Sequence, residues 1–153
     1  MTRQPLEQHL RLHAFVGDWT GEEQLAPSRW AAGGPATARV SARAQLGGFF
    51  VEQHYTEEVQ GRVSLQARAV FAWDEESRQF LLYWFDSYGF APQQPGTGQW
   101  RDDTLVLTRV SSRGMARHSY RFEGADLYHL RLENSFDGGH TWQPVADGVY
   151  RRA

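Results

Sequence analysis

From residue 18 to residue 152 the chain alternates between apolar and polar residues in short runs, and turn-forming residues separate these runs. A period of two is typical of strands with one buried face, and short separators favour antiparallel neighbours that follow one another along the chain. The sequence therefore predicts an all-β meander, either a sandwich or a barrel. Roughly ten strands are expected, at 18–26, 36–46, 49–59, 62–73, 79–88, 97–101, 104–112, 115–123, 127–136 and 141–151.

A helical spacing of apolar residues precedes the first strand. Leu6, Leu10 and Phe15 recur at this spacing, and Pro5 lies near the position of a first turn. The helical pattern does not return after this segment. We therefore expect one short helix over 5–16.

Length and composition narrow the possibilities further. A chain of 153 residues suits one domain, predicted over 1–153 with its barrel over 18–152. A net charge of -2 gives no attraction to nucleic acid, and the absence of cysteine excludes disulfides and thiolate metal sites. No apolar run approaches the ~18 residues of a membrane span, and the N-terminus lacks the apolar stretch of a signal peptide. A cytoplasmic protein without nucleic-acid or membrane partners is expected.

The fifth strand differs from the others because it is apolar on both faces. Residues 80–85 are all apolar or aromatic, whereas a barrel strand needs only one buried face. We expect its outer face to be covered by the N-terminal helix, a neighbouring loop or a second subunit. A homodimer is one of the arrangements that the sequence leaves open.

The start of the first strand resembles a known barrel signature. The run Gly17-Asp18-Trp19, directly after a short helix, is similar to the Gly-x-Trp opening of lipocalins. In those barrels an Arg or Lys of the last strand packs across the Trp and closes the barrel base. The resemblance implies structural roles for Gly17 and Trp19, and of the two arginines that end the last strand we assign the closing role to Arg151, with Arg152 beside it.

Longer stretches resemble one family in their order and spacing. They are Phe15–Glu23, Leu46–Tyr55, Phe71–Asp74 and Tyr83–Ser87, and the family is the uncharacterised bacterial domain of unknown function 1579. The resemblance implies a calycin-type barrel related to lipocalins and fatty-acid-binding proteins, with no established activity. Nitrobindin-like barrels, which are similar, hold haem iron through a histidine near the C-terminus, but residues 141–153 contain none. No haem or other cofactor is predicted.

The segment from Ser135 to Trp142 matches the Asp box of sialidases and other propeller proteins. The chain has one copy and is too short for a propeller, so the motif predicts a turn and no sialidase activity. We expect Asp137 to accept hydrogen bonds from turn N–H groups and Trp142 to pack beneath the hairpin.

No motif for catalysis or metal binding is present. The histidines at 9, 13, 54, 118, 129 and 140 form no metal-binding pattern, and neither a nucleophile elbow nor a phosphate loop occurs. No metal site is predicted. Glu23 and Asp86 are expected to project into the barrel, where a carboxylate among rings would have a raised pKa and could transfer protons, anchor a ligand or pair with Arg109.

Three functions remain compatible with these observations. In the preferred one, the barrel binds a small, partly apolar molecule. The expected lining is Trp19, Tyr55, Trp84, Tyr120, Tyr128 and Phe136, with Glu23, Gln53, Asp86 and Asn134 orienting the ligand. The second is an isomerase, cyclase or hydrolase that uses Asp86 or Glu23 for proton transfer and Tyr55 or Tyr120 as a donor. The third is a filled barrel that acts through a dimer or partner surface.

Overall fold

The computed structural model describes residues 2–153. Ten antiparallel strands form a closed barrel in which each strand pairs with its neighbours along the chain and the last pairs with the first. The predicted all-β, up-and-down, lipocalin-like barrel with one short N-terminal helix is thereby confirmed. The strands are β1 Gly17–Leu25, β2 Gly34–Gln45, β3 Phe50–Val59, β4 Arg62–Asp74, β5 Gln79–Asp86, β6 Gly96–Arg101, β7 Thr104–Ser111, β8 Gly114–Glu123, β9 Leu127–Ser135 and β10 Gln143–Arg152.

The N-terminal helical segment closes one end of the barrel, which we call the base. Helix α1, Glu7–Arg11, continues into a 3₁₀ turn, Leu12–Phe15. The Phe15 side chain is fully buried, and its ring stacks on that of Phe71 with 4.3 Å between centroids. Within residues 2–153 no helix has the length and hydropathy to cross a membrane.

Because the helix occupies the base, it leaves the outer face of β5 uncovered. Tyr83 and Phe85 point outward and keep 38% and 49% of their surface exposed. The predicted cover by the helix or a neighbouring loop is therefore wrong. A second subunit on this face stays a prediction.

The joint between β5 and β6 is the shortest in the barrel. It contains three residue pairs, between Phe80–Leu82 and Gly96–Gly98, against five between β6 and β7. Above Leu82, the part of β5 at 83–86 has no β6 partner, and the chain runs through a loop at 87–95 before β6 begins. We call this short joint and the gap above it the β5–β6 seam.

Arg152 fastens the base of the barrel. Its guanidinium carbon lies 4.3 Å from the centroid of the Trp19 ring, and its nitrogens donate to the carbonyls of Val16 and Ala125, both at 2.9 Å. Gly17 makes this approach possible, because a Cβ at that position would lie 2.2 Å from Arg152 Nη1. Gly17 also has a φ of +141°, which L side chains rarely adopt.

The closing role assigned to Arg151 is therefore wrong, and Arg152 has it. Trp19 pairs with Arg152 in the β1–β10 register, whereas Arg151 pairs with Thr20. Successive side chains of a strand point to opposite faces, so a shift of one residue moves the guanidinium from the inside of the barrel to the outside.

The hairpin between β9 and β10 is organised by Asp137. Its carboxylate accepts hydrogen bonds from the hydroxyl and the N–H of Thr141 and from the Ser135 hydroxyl, and these bonds lower the pKa of Asp137 to about 2. Trp142 is half-buried, with the Arg117 guanidinium 3.9 Å from its ring. Phe136 is 67% exposed, so its expected place inside the barrel is wrong: β9 ends one residue earlier.

We expect Arg152→Ala to lower the free energy of unfolding by about 2 kcal/mol, because it removes charged hydrogen bonds to two carbonyls and the stacking on Trp19. Arg151→Ala, at the neighbouring exposed position, should change it by less than about 0.5 kcal/mol. Urea unfolding of both variants measures the difference. Equal losses would contradict the assignment of the base contact to Arg152.

Candidate ligand site

The interior of the barrel is filled near the base and open at the other end. Large rings fill the lower half, namely Phe15, Trp19, Phe71, Tyr120, Phe122, Tyr128 and Tyr150. Several inward-facing side chains of the upper half keep partial exposure, namely Leu65, Asp86, Arg109, Ala116, His118, Leu132 and Asn134. We call the part of the interior that these side chains surround the cup. The loops at 26–33 and 87–95 lie at this open end.

A cluster of buried carboxylates and tyrosines lies between the two halves. The Tyr55 hydroxyl is 2.8 and 2.9 Å from the two Glu23 oxygens and 2.9 Å from Glu57 Oε2. Tyr150 also donates to Glu23, and Ser64 donates to Glu57 at 2.7 Å. Glu23, Tyr55, Glu57 and Tyr150 are all at least nine-tenths buried. We call these four residues the Glu–Tyr cluster.

Small residues and a bulge position this cluster. Gly148 faces Glu23 across the β1–β10 pair, and a Cβ there would lie 3.1 Å from Glu23 Cγ and 2.8 Å from the Tyr150 ring. Glycine therefore gives both side chains room to meet. On β3, the register against β4 shifts between Glu57 and Glu58. Glu57 remains inside the barrel, two residues beyond Tyr55.

Burial makes the cluster hold a proton near neutral pH. Loss of solvation raises the pKa of Glu23 to about 7, and the charge of Glu57 acts in the same direction, while hydrogen bonds from Tyr150 and Tyr55 oppose the shift. Burial also raises the pKa of Tyr55, so its hydroxyl keeps its proton. One tyrosine hydrogen cannot serve three carboxylate oxygens at once. A proton on Glu23 relieves this shortage of donors.

Gln53 lies one inward position below Tyr55 on β3. Its side chain is 2% exposed, and no group among residues 2–153 donates a hydrogen bond to its Oε1 atom. A buried acceptor without a donor costs about 1–3 kcal/mol. Side chains with such a cost are uncommon in folded proteins, and this one lies directly below the Glu–Tyr cluster on β3.

Aromatic rings form one wall above Gln53. The Trp84 ring is 5.8 Å from Tyr55 and 5.1 Å from His118, measured between centroids. Removal from bulk water lowers the pKa of His118 to about 3, and the positive charge of Arg109 adds to this shift. The imidazole is therefore neutral around pH 7.

The structure brings some of the predicted site residues together and separates others. Glu23, Gln53, Tyr55 and Trp84 surround the boundary between the two halves. The hydroxyl of Tyr120 is 3.3 Å from His118 Nδ1, but its ring belongs to the filled base.

The other two predicted residues lie nearer the rim. The Asp86 carboxylate accepts hydrogen bonds from Trp84 Nε1 at 2.9 Å and the Tyr88 N–H at 3.0 Å. It forms no ion pair with Arg109 among residues 2–153. Asn134 is partly exposed and pairs with Ala116 on β8.

Two residues of the Glu–Tyr cluster were not predicted from the sequence. Glu57 continues the inward alternation of Gln53 and Tyr55, so the period of two already contained the signal for it. The inward position of Tyr150 could have been predicted from the lipocalin resemblance. Arg152 is the partner of Trp19 and faces inward, so the residue two positions before it, Tyr150, also faces inward. Choosing Arg151 instead assigned the inward face of β10 to the wrong set of residues.

A wide, open groove of about 1360 Å³ lies on the outer wall, and its lining is mainly outward-facing residues, with Glu23 also in the lining. Its charged side chains include two ion pairs, Arg117 with Glu133 at 3.0 Å and Arg131 with Asp147 at 2.9 Å. These groups neutralise each other in place, so we locate the candidate site in the cup. Within residues 2–153, no group of three or more His, Asp or Glu side chains could hold a metal ion.

Comparisons with known proteins agree with this architecture. A family model described as a protein of unknown function, DUF1579, matches residues 4–152. The crystal structure of Rv2717c from M. tuberculosis is similar, with a TM-score of 0.71, 16% identity and coverage of 97% of this chain and 99% of that one. The S-type phycobiliprotein lyase CPES from Guillardia theta has a TM-score of 0.68, 14% identity and coverage of 97% and 93%. These likenesses show a shared fold. No curated protein matches the sequence significantly.

We expect the stability contributed by Glu23 to depend on pH. Its pKa is higher in the folded than in the unfolded chain, so the folded state binds more protons between about pH 4.5 and pH 7. Its contribution is therefore most favourable below about pH 4.5 and is lost as the pH rises through 7. Glu23→Gln removes this term, and the variant should gain stability relative to the wild type as the pH rises.

Urea unfolding at several pH values measures the difference in stability between the wild type and Glu23→Gln. His118 contributes a pH dependence of opposite sign, but it does so in both proteins and therefore cancels in the difference. Glu22→Gln is the matched control, because Glu22 is the exposed neighbour on β1. A constant difference between wild type and Glu23→Gln from pH 4 to pH 8 would contradict the raised pKa.

Proposed function

The chain belongs to the DUF1579 family of proteins of unknown function, and we propose that its barrel binds a small, partly apolar molecule in the upper half of the interior. The observation that carries the proposal is the unpartnered Oε1 atom of Gln53, which is buried inside the barrel one inward position below Tyr55 of the Glu–Tyr cluster. A donor group on a ligand would satisfy this atom.

The cluster favours a ligand with hydrogen-bond donors. Glu23 and Glu57 offer four acceptor oxygens, and the hydroxyl hydrogens that reach them come from Tyr55, Tyr150 and Ser64. Acceptors therefore outnumber donors unless a carboxyl is protonated. Burying polar groups at this cost is typical of binding and catalytic sites, where a ligand completes the hydrogen bonding.

The walls of the cup favour a molecule that is also apolar. Trp84 lies beside Tyr55, and Leu65 and Leu132 face inward with partial exposure. Rings and aliphatic side chains with a few converging polar groups are the usual lining of a small-molecule site. The likeness to a phycobiliprotein lyase is consistent with a small molecule in a barrel of this shape, and it does not specify the ligand.

A second candidate function is proton transfer to a bound substrate. Glu23, with a pKa of about 7, is poised to accept or donate a proton at neutral pH, and Tyr55 lies within hydrogen-bond distance. Asp86 is less suited, because Trp84 and the Tyr88 N–H already occupy its oxygens. A substrate turned over by the wild type and not by Glu23→Gln would distinguish an enzyme from a carrier.

Native mass spectrometry of the purified protein, together with ligand-observed NMR on a library of small aromatic compounds, tests the binding function. We expect a bound molecule whose affinity falls at least about tenfold in Gln53→Leu and in Trp84→Ala, because each loses a direct contact. Gln66→Leu and Trp30→Ala change exposed residues of the same types and should bind as the wild type does.

Circular dichroism of each variant establishes that the barrel is intact. A protein that carries no molecule, together with library binding that is the same in all four variants, would overturn the proposal. If such a protein were also dimeric, the exposed face of β5 would become the leading functional surface.

A further inference from the structure

Arg109 is an inward-facing cation without an anion. Leu105 and Leu107 of β7 are buried inside the barrel, and Arg109 continues the same face two residues further toward the rim. It pairs across the sheet with Ala116, a small residue, and is partly exposed. Within residues 2–153, no carboxylate forms an ion pair or hydrogen bond with Arg109.

The carboxylates that share the interior with Arg109 are held elsewhere. Asp86 accepts from Trp84 Nε1 and the Tyr88 N–H, and both Glu23 and Glu57 belong to the buried cluster. Arg109 lies one inward position above Leu107, and Leu107 is the cross-strand partner of His118. An unpaired guanidinium in a partly enclosed position is a typical recognition group for a carboxylate.

Three kinds of group therefore share the interior. A cation lies near the rim at Arg109, and the rings of Trp84 and His118 and the unpartnered Oε1 atom of Gln53 lie nearer the base. A ligand that satisfies all three has an anionic end, a planar ring and a donor directed away from the anionic end.

We propose that the ligand is a planar aromatic carboxylic acid with an N–H or O–H donor on or near its ring, its carboxylate on Arg109 and its donor directed to Gln53. This inference rests on the proposed binding function and specifies its chemistry. The carboxylate would form charge-assisted hydrogen bonds with the guanidinium, and the ring would pack against Trp84. The donor would supply the hydrogen bond that Gln53 lacks.

Three small compounds separate these contributions. Indole-3-acetate has both a carboxylate and a ring N–H, 3-methylindole lacks the carboxylate, and naphthalene-1-acetate lacks the N–H. We expect NMR titration to show that indole-3-acetate binds about tenfold more tightly than either of the others, the effect of one good polar contact. The titration also follows the indole N–H resonance of Trp84, assigned by its loss in Trp84→Ala.

Variants assign each contribution to its residue. Arg109→Gln should weaken both acids about tenfold and leave 3-methylindole unchanged, while Gln53→Leu should weaken both indoles and spare naphthalene-1-acetate. Arg39→Gln is the matched control, because Arg39 is an exposed arginine on the outer face of β2.

The outcomes distinguish this inference from the binding function beneath it. If 3-methylindole shifts the Trp84 signal as strongly as the acids do, or if Arg109→Gln leaves the acids unaffected, the ligand class is overturned and binding in the cup stands. If no compound shifts the signal at millimolar concentration, the ligand class is also overturned. Native mass spectrometry of the purified protein then decides the binding function on its own.

Discussion

Pairing of the first strand with the last is the constraint on which the rest of the structure depends. Seven residue pairs join β1 to β10 and make a continuous wall out of a sheet that would otherwise have two free edges. The joint is fastened at its lower end, where Arg152 reaches across Trp19 to backbone carbonyls that the helical segment and the β8–β9 turn provide. The residues that close the barrel are thus the ones that attach the N-terminal helical segment to it.

Closure also fixes how much side-chain volume the interior can hold. In the lower half, the N-terminal helical segment and six large rings from the strands meet in stacked and edge-on contacts, which leaves little space for a ligand. In the upper half, alanines occupy inward positions of two strands, at 36 and 38 on β2 and at 67 and 69 on β4. The difference between a packed base and an open cup therefore results from residue size within one continuous barrel.

The same joint creates the most polar part of the interior. Glu23 and Tyr150 lie 127 residues apart in the chain and meet only because β1 and β10 are neighbours. Two carboxyl groups within reach of one tyrosine hydroxyl lower the stability of the protein when both are charged. Buried polar groups that lower stability in this way are the basis of the binding function proposed above.

Sequence periodicity predicted the parts of the molecule that regular alternation controls. The number of strands, their order and the inward side of β3, with Gln53 and Tyr55, all follow from a period of two. The errors occurred where this period is interrupted or counted from the wrong residue.

Two particular positions show this. An end of strand puts Phe136 outside, and the one-residue difference between Arg151 and Arg152 inverts β10 and hides Tyr150. Arg109 was recognised only as a partner for a carboxylate. Its lack of one depends on contacts of Asp86 and the Glu–Tyr cluster that no linear pattern encodes.

The β5–β6 seam gives the barrel a mechanical asymmetry. Local opening of a β-sheet begins where the fewest backbone hydrogen bonds must break, and here only three residue pairs hold two strands together. The gap above those pairs lies between Asp86 and Arg109, at the level of the cup. The wall of the barrel is therefore held by fewer pairs between β5 and β6 than between β1 and β10, where seven residue pairs and the Arg152 contact join the strands.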